Sequence, residues 1–385
     1  MRVALVSDWT SPRLGGIERQ VRDLATQLHA HGHDVRVLTF TPGPDEVDGL
    51  PVHRLRVGVP RGWRSLQRGL ERVGLELGDP MPRVTEREIV RVLVGERIDL
   101  VHGHSLWSAL AHMAIKLGRD NGIPGVLTNH SLIERAGLLF FRAIDEVVGW
   151  SSWPAVLTGV SRAAARDLSL ASGRDARVIP NGLDTTAWAY ARAGRAADPT
   201  HRGADPAKRI VSVMRLNARK SPQALLDAFA QVHATLDRDV RLDIYGDGTL
   251  RPALERHTRE LALSHAVTFH GACGPAEVAH GLAAADVFAL SGTREAFGIA
   301  AAEALAAGVP VVGMRGSGMA DVFADGVGGL FADSTGELAT LIARILMDDA
   351  LRMELAANAP AQAARFDWSR GAPAYLAAYG DARHA

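Results

Sequence analysis

The stretch Arg2-Val3-Ala4-Leu5-Val6-Ser7 is a short apolar run, and Leu14-Gly15-Gly16-Ile17 follows it before the pattern changes. From Glu18 to His31 the apolar residues recur with the period of an α-helix. A buried strand, a glycine turn and an amphipathic helix in this order are the repeating unit of proteins built on parallel sheets. The start of the chain therefore predicts an α/β fold.

The same alternation of strands and helices continues along most of the chain. In the first half we predict further strands at 35–40, 52–57, 100–103, 125–129, 155–160 and 177–180, and helices at 85–97, 107–118 and 162–171. In the second half we predict strands at 209–216, 241–245, 266–270, 287–291 and 309–313, and helices at 222–236, 250–263, 275–284, 298–307 and 337–348. This order implies parallel sheets that carry helices on both faces.

A segment without regular structure separates the two predicted series of strands and helices. Residues 189–208 are rich in Ala, Arg, Gly, Asp and Pro and have no apolar period, which is typical of a linker. A chain of 385 residues is also too long for one ordinary domain. We therefore predict two doubly wound, Rossmann-like domains, at 1–184 and 209–366, with a linker at 185–208. Because ligands bind beyond the carboxyl ends of the strands in such sheets, functional residues are expected directly after strands.

The composition excludes several classes of protein. Hydrophobic residues make up 47% of the chain, which is enough for a large core, and the 43 Lys and Arg balance the 43 Asp and Glu. Zero net charge argues against a dedicated nucleic-acid binder. Cys273 is the only cysteine, so an intrachain disulfide and a multi-cysteine metal site are excluded. The first apolar run is too short for a secretory signal, so we expect a cytoplasmic protein.

Two short segments at predicted strand ends suit a phosphate group. Gly15-Gly16 opens the first helix, where the backbone can approach a ligand and free N–H groups favour an anion. Arg215 and Lys220 follow the first strand of the second half and could neutralise a diphosphate from two sides. Each segment alone is also consistent with an ordinary turn or a solvated loop.

The most specific pattern is Glu295-Ala-Phe-Gly-Ile-Ala-Ala-Ala-Glu303, in which two carboxylates stand eight residues apart around a predicted helix start. Carboxylates accept hydrogen bonds from sugar hydroxyls, and the helix start at Phe297-Gly298-Ile299 offers N–H groups to a phosphate. Glu303 lies among Ala and Leu, where a buried carboxylate needs partners. Together these groups predict a pocket for a sugar joined to a nucleoside diphosphate.

The Glu-x7-Glu spacing, the early Gly15-Gly16 and the pair Arg215…Lys220 resemble the retaining glycosyltransferases of the GT-B fold, glycosyltransferase group 1. This family includes phosphatidylinositol mannosyltransferases and sucrose synthases. The resemblance covers essentially the whole chain, and Phe366-Asp-Trp368 is similar to the aromatic signature before the last helix. It implies two Rossmann-like domains that face each other across a cleft, with a C-terminal helix at 367–385 that returns to the N-terminal domain. The N-terminal domain would bind the acceptor and the C-terminal domain the donor.

The resemblance also implies roles for single residues. The catalytic set would be His130, Glu295, Arg215 and Lys220, with His130 beside the reacting carbon of the donor sugar. The donor-binding set would be Gly15, Gly16, Arg215, Lys220, Glu295, Phe297, Gly298, Ile299 and Glu303. Within it, Glu295 would bind sugar hydroxyls, Glu303 the ribose, and the two cations the diphosphate. No cofactor and no metal are expected, because the nucleotide sugar is itself a substrate.

Three positions depart from the family pattern. Met214 and Ser221 stand where the family usually has glycine, and Asp321 replaces a glutamate. These differences leave the charged roles in place, so what they leave open is the local loop geometry and the choice of donor.

The first half contains the expected acceptor side. His104 and Trp107 follow a strand and are candidates for acceptor contact, with the loops at 7–14, 102–107 and 132–141. We expect His102 and His104, two residues apart on a strand, to point to opposite faces, which disfavours a metal pair. Residues 58–77 combine arginines at helical spacing with an apolar stripe. They are consistent either with a surface helix whose apolar stripe packs on the core or with a helix that lies on the anionic inner face of a membrane.

We therefore predict a metal-independent, retaining hexosyltransferase that uses a UDP- or GDP-linked sugar and a hydroxyl acceptor, such as a small molecule, a glycan or a lipid. Bacterial glycan or glycoconjugate synthesis is the expected setting. A nucleotide-sugar epimerase or a non-catalytic nucleotide-sugar-binding protein on the same scaffold remains an alternative, since a fold does not determine a function.

Overall fold

The computed structural model describes residues 1–12, 15–55, 86–197, 207–236, 239–316 and 318–384. The chain divides into two compact units, and in the described residues the boundaries fall at Gly182/Leu183 and Asp367/Trp368. The segment 58–77, which we interpret as a core-packed or membrane-surface helix, lies outside the described residues.

The first unit contains a sheet with the strand order β3-β4-β2-β1-β5-β6-β7-β8. Its strands are β1 Arg2–Val6, β2 Asp34–Thr39, β3 Glu46–Val47, β4 Leu50–Arg54, β5 Leu100–His104, β6 Gly125–Asn129, β7 Ala155–Gly159 and β8 Arg177–Val178. All neighbours pair in parallel except β3 and β4, which form a small antiparallel pair. Its helices are α1 Gly16–Ala30, α2 Glu86–Gly95, α3 Ala109–Asp120, α4 Arg135–Val148 and α5 Arg162–Ser172, followed at the end of the chain by α13 Trp368–Ala382.

Alternate residues of these strands form the two halves of the core. Val3 and Leu5 of β1 pack in one apolar cluster with α1 and α13, whereas Ala4 and Val6 pack in a second cluster on the opposite face. Helix α13 thus belongs to the first unit although it follows the second in sequence. The indole of Trp368 lies against Gly182, where a Cβ atom would overlap the ring, so the place where the chain leaves the first unit is packed against the place where it returns.

The second unit contains a wholly parallel sheet with the order β11-β10-β9-β12-β13-β14. Its strands are β9 Lys208–Val213, β10 Val240–Tyr245, β11 Val267–Gly271, β12 Val287–Leu290, β13 Val311–Met314 and β14 Gly329–Ala332. Its helices are α6 Thr185–Ala197, α7 Pro222–Thr235, α8 Arg251–Glu260, α9 Pro275–Ala284, α10 Ile299–Ala306, α11 Thr335–Met347 and α12 Asp349–Ala363. Two parallel, doubly wound sheets confirm the predicted fold class.

Several segments differ from the predicted elements, among them helix α12 and strand β14, which were not predicted. Residues 185–208 were predicted as a linker, but α6 occupies Thr185–Ala197 and buries Trp188 in the second unit. A run dominated by alanine and arginine carries little apolar period, yet alanine is the best helix former, so a few anchoring contacts suffice. Residues 132–141 were predicted as a loop, but α4 begins at Arg135 and buries Phe141.

Candidate functional site

The loop after β9 carries the two predicted phosphate-binding cations. It closes in a short 3₁₀ turn at Ala218–Lys220, and the Asn217 side chain accepts a hydrogen bond from the backbone N–H of Lys220 at 3.3 Å. Ser221 then adopts φ 49°, a left-handed conformation that favours glycine. This is one of the two positions where the resemblance leads us to expect glycine, and here a serine adopts the conformation that glycine favours.

The end of β12 holds this loop in place. The hydroxyl of Ser291 donates to the backbone oxygen of Ser221 at 2.8 Å and to that of Lys220 at 3.2 Å. Strands β9 and β12 are neighbours in the sheet, so their carboxyl ends lie side by side. The loop with Lys220 is therefore fixed against the loop that carries Glu295.

Lys220 and Glu295 form the central contact of this region. The Nζ atom of Lys220 donates to both carboxylate oxygens of Glu295, at 2.6 and 2.7 Å. Their side chains are 19% and 6% exposed. A charge-assisted contact with so little solvent holds both side chains in fixed positions, because separating them would leave each charge poorly solvated.

The backbone at Glu295 is clamped as well. The N–H of Gly318 donates to the carbonyl oxygen of Glu295 at 2.6 Å, and a Cβ atom at Gly318 would overlap the carbonyl oxygen of Ala296. Only glycine allows this close approach of two backbone segments. The loop before α10 is thus held from the side of β13.

Helix α10 begins directly after the predicted sugar- and phosphate-binding stretch. Gly298 precedes it with φ 93°, and Ile299 is its first residue. Phe297 is buried and packs edge-on against Phe366, with ring centroids 5.0 Å apart. Glu303 is buried on the same helix, and Arg215 is half-buried after β9. The second unit therefore assembles cations, carboxylates and a helix start at the carboxyl ends of β9 and β12.

The first unit places three histidines at the carboxyl ends of β5 and β6. The ring centroids of His102 and His104 are 4.1 Å apart, so the expectation that they point to opposite faces is wrong. Alternate residues of a strand lie on the same face. Nδ1 of His104 is 3.0 Å from Nε2 of His130, across the neighbouring strands β5 and β6.

His102 connects this group to the C-terminal helix. Its Nδ1 is 2.8 Å from the hydroxyl of Tyr379 on α13, and its Nε2 is 2.7 Å from the hydroxyl of Thr128. Burial lowers the pKa of His102 to about 3 and that of His130 to about 4, and it also lowers the pKa of His104 well below its usual range. All three rings are therefore neutral at physiological pH.

The remaining predicted residues of the first unit lie on two elements. Gly15 precedes α1 in an extended conformation, and Gly16 is the first residue of that helix. Trp107 stacks on Phe140 with an interplanar angle of 13° and meets Phe141 edge-on. Phe140 and Phe141 lie on α4, so Trp107 packs against the aromatic side chains of that helix. Contact of His104 and Trp107 with an acceptor stays a prediction.

Four residues of these two regions were given no role in the sequence analysis: Asn217, Ser291, Gly318 and Tyr379. Ser291 stands directly after β12, and Asn217 lies in the loop that follows β9, which is a usable signal in this fold class. Gly318 and Tyr379 act through contacts distant in sequence and leave no local signal.

No group of three or more His, Cys, Asp or Glu in the described part of the chain has a geometry that could hold a metal ion. No helix within the described ranges combines the length and apolar character needed to cross a membrane.

Comparison with known proteins extends over both units. Residues 14–187 match the model of "Glycosyltransferase Family 4", and residues 197–362 match that of "Glycosyl transferases group 1". The chain is 29% identical to a D-inositol 3-phosphate glycosyltransferase of Segniliparus rotundus, over 98% of this chain and 88% of the relative. It is also 29% identical to a GDP-mannose-dependent α-(1-6)-phosphatidylinositol dimannoside mannosyltransferase of Mycobacterium tuberculosis, over 99% and 96%.

Solved structures show the same fold. HepE of Anabaena, in complex with UDP and glucose, superposes with a TM-score of 0.78 at 20% identity and covers 99% of this chain and 100% of its own. Sucrose-phosphate synthase of Thermosynechococcus elongatus gives a TM-score of 0.75 at 22% identity and covers 99% and 98%.

Proposed function

Because the chain belongs to the group 1 glycosyltransferases, we propose that it moves a hexosyl unit from a UDP- or GDP-linked sugar to a hydroxyl of a small-molecule, glycan or lipid acceptor. The bond between the anomeric carbon and the diphosphate oxygen breaks. A bond from that carbon to the acceptor oxygen forms, the acceptor proton is released, and the nucleoside diphosphate leaves. Bacterial glycan or glycoconjugate synthesis is the setting in which we place the reaction.

The observation that carries this proposal is the contact of Lys220 with both oxygens of Glu295 beside the start of α10. A carboxylate and an ammonium group held this close can exchange partners with a ligand that offers both hydroxyls and phosphates. A glycosyl diphosphate offers both, since sugar hydroxyls donate to a carboxylate and phosphate oxygens accept from an ammonium. We assign the sugar hydroxyls to Glu295 and the diphosphate to Lys220.

The leaving diphosphate gains negative charge as the bond breaks, and fixed positive groups lower the barrier. Arg215, Lys220 and the N–H groups at Phe297–Ile299 supply that charge in our proposal, with the Gly16 backbone assisting, so no metal takes part. Glu303 binds the ribose. His130 is neutral, and we place it beside the reacting carbon as a hydrogen-bonding group.

We further propose that the configuration at the anomeric carbon is retained. Glu295 is bound to Lys220, so we assign it to sugar binding and not to covalent attack. The two alternatives, a nucleotide-sugar epimerase and a non-catalytic nucleotide-sugar-binding protein, are not favoured by the family, whose relatives are named as transferases.

The relatives' names suggest the compounds to test. UDP-glucose and GDP-mannose are offered as donors, with D-inositol 3-phosphate and a phosphatidylinositol mannoside as acceptors. The proposal expects one donor to raise the melting temperature by mass action and to release its nucleoside diphosphate faster when an acceptor is present. Proton NMR of the first-formed product then gives the anomeric configuration.

The outcomes separate the parts of the proposal. An inverted linkage would contradict retention but not transfer. Activity that disappears with EDTA and returns with a divalent ion would contradict metal independence. Interconversion of the donor without any acceptor would identify an epimerase, and binding without turnover for every pair would support a binding protein.

We also propose a cytoplasmic location, with membrane contact through residues 58–77. The test is co-sedimentation with anionic vesicles, in which a variant carrying Arg64→Glu and Arg68→Glu should bind less than the native chain. Equal binding of the two proteins would remove this part of the proposal.

A further inference from the structure

The three histidines of the first unit form a row in which His104 lies between His102 and His130. Nδ1 of His104 lies 3.0 Å from Nε2 of His130, and the other ring nitrogen of His104, Nε2, is buried without a hydrogen-bond partner among the described residues. Both rings are neutral because burial lowers both pKa values. A neutral imidazole has one N–H and one bare nitrogen, so one ring donates in this contact and the other accepts.

The unpartnered Nε2 of His104 decides the direction of this hydrogen bond. A buried N–H without an acceptor costs the full desolvation of a donor, and orphaned buried N–H groups are rarer than orphaned acceptors. The proton of His104 is therefore on Nδ1, where it has a partner, and Nε2 keeps its lone pair. His104 then donates to His130, whose Nε2 accepts.

The proton of His130 must consequently be on Nδ1. The side chain of Asn181 raises the pKa of His130, although the larger effect of burial lowers it. The ring of His104 is held in turn by His102, 4.1 Å away, which is bound to Tyr379 and Thr128. Strand β5 and helix α13 thus fix the donor.

We propose that His104 is a positioning residue that locks His130 in the Nδ1–H tautomer and in one ring orientation. His130 then presents an N–H donor at Nδ1 and has no free lone pair, so it acts as a hydrogen-bond donor and not as a general base. That consequence for the reaction rests on the proposed function, whereas the tautomer itself does not.

The direct test is NMR of the native full-length chain labelled with ¹⁵N-histidine, at pH 7.5 and without substrate. Long-range ¹H–¹⁵N correlation distinguishes a protonated from a bare ring nitrogen, and His104→Asn and His130→Asn spectra assign the two rings. The proposal expects both rings to be protonated at Nδ1. Protonation of His130 at Nε2 would overturn it.

The kinetic constants of two His104 variants provide a second test, which distinguishes a positioning role from mere space filling. In His104→Leu the donor to His130 is lost, and kcat should fall by about 10- to 100-fold, as for other residues that orient a functional ligand, while KM for the donor sugar stays within about twofold. His104→Asn places an amide at the position of Nδ1 and should recover most of the loss, with His130 again protonated at Nδ1.

Equal losses in the two variants, with both folded by circular dichroism, would show that His104 only fills space and would overturn the proposal. If the native chain transfers no sugar, the proposed function fails, but the tautomer measured by NMR still decides the assignment of His104.

Discussion

The two units use the carboxyl ends of neighbouring parallel strands for opposite chemistry. At the ends of β5 and β6 the first unit buries His104 and His130, which remain neutral because burial lowers their pKa values. At the ends of β9 and β12 the second unit nearly buries Lys220 and Glu295, which form an ion pair. The first region therefore holds neutral rings, whereas the second holds two paired side chains of opposite charge.

The largest expected effect comes from removing a cation of the second unit. Arg215→Ala should lower kcat on the order of 10²–10³-fold, because one preorganised partner of the developing charge is lost. The measurement is kcat with the best donor and acceptor. Arg256→Ala, an exposed arginine on α8 of the same unit, is the matched control and should change kcat by less than about twofold. A fall in kcat of less than about tenfold in Arg215→Ala would show that this cation does not stabilise the leaving diphosphate.

The next effect concerns the pairing of Lys220 with Glu295. In a double-mutant cycle of Lys220→Met and Glu295→Gln, the free energy of unfolding should show a coupling of about 1–2 kcal/mol, because each single change leaves the other charge nearly buried and unpaired. Urea unfolding of the four proteins measures it.

The exposed pair Lys116–Asp120 on α3 serves as the control for this cycle. Its side chains are 43% and 36% exposed, and its coupling should be no more than about 0.5 kcal/mol. If the two cycles gave the same value, solvent would screen the Lys220–Glu295 contact as effectively as it screens a surface pair.

A third effect, measured on stability and not on the rate, is the pH dependence that the histidines impose on the free energy of unfolding. Their folded pKa values lie below the unfolded value near 6.5, so the unfolded chain binds more protons as the pH falls. The buried neutral histidines contribute their full stabilisation above pH 6.5, and this contribution is lost as the pH falls towards 4. For each histidine the free energy of unfolding falls by up to roughly 1.4 kcal/mol per pH unit. Urea unfolding between pH 7 and 5 measures the slope, and His102→Gln should reduce it by one histidine's share. An unchanged slope in that variant would contradict the assignment of His102 as buried and neutral.

Much of the fold could be predicted from sequence because local periodicity and glycine turns reflect local physics. The predicted bounds of β6 and α9, 125–129 and 275–284, agree with the structure residue for residue. Two of the helices that were not predicted, α6 and α4, carry weak or misleading patterns. In α6 the small alanine side chains hide the buried face, and in α4 Leu139 and Phe140 are exposed although the run Leu138–Phe141 is apolar.

The contacts within the candidate site could not be predicted in the same way. Lys220 and Glu295 meet because β9 and β12 are neighbours, although β10 and β11 lie between them in sequence. His102 meets Tyr379 because α13 returns to the first unit, and the two residues are 277 positions apart. Residue types and spacing identify the candidates, whereas the strand order and the packing of α13 determine which of them touch.

The most direct test of the account is a crystal structure of the chain with the nucleoside diphosphate sugar that gives the largest thermal shift. The account predicts that the diphosphate lies within hydrogen-bond distance of Arg215 and Lys220, that a sugar hydroxyl contacts Glu295, and that the ribose contacts Glu303. A nucleotide bound elsewhere, with the contact between Lys220 and Glu295 unchanged and no ligand atom near it, would contradict the account.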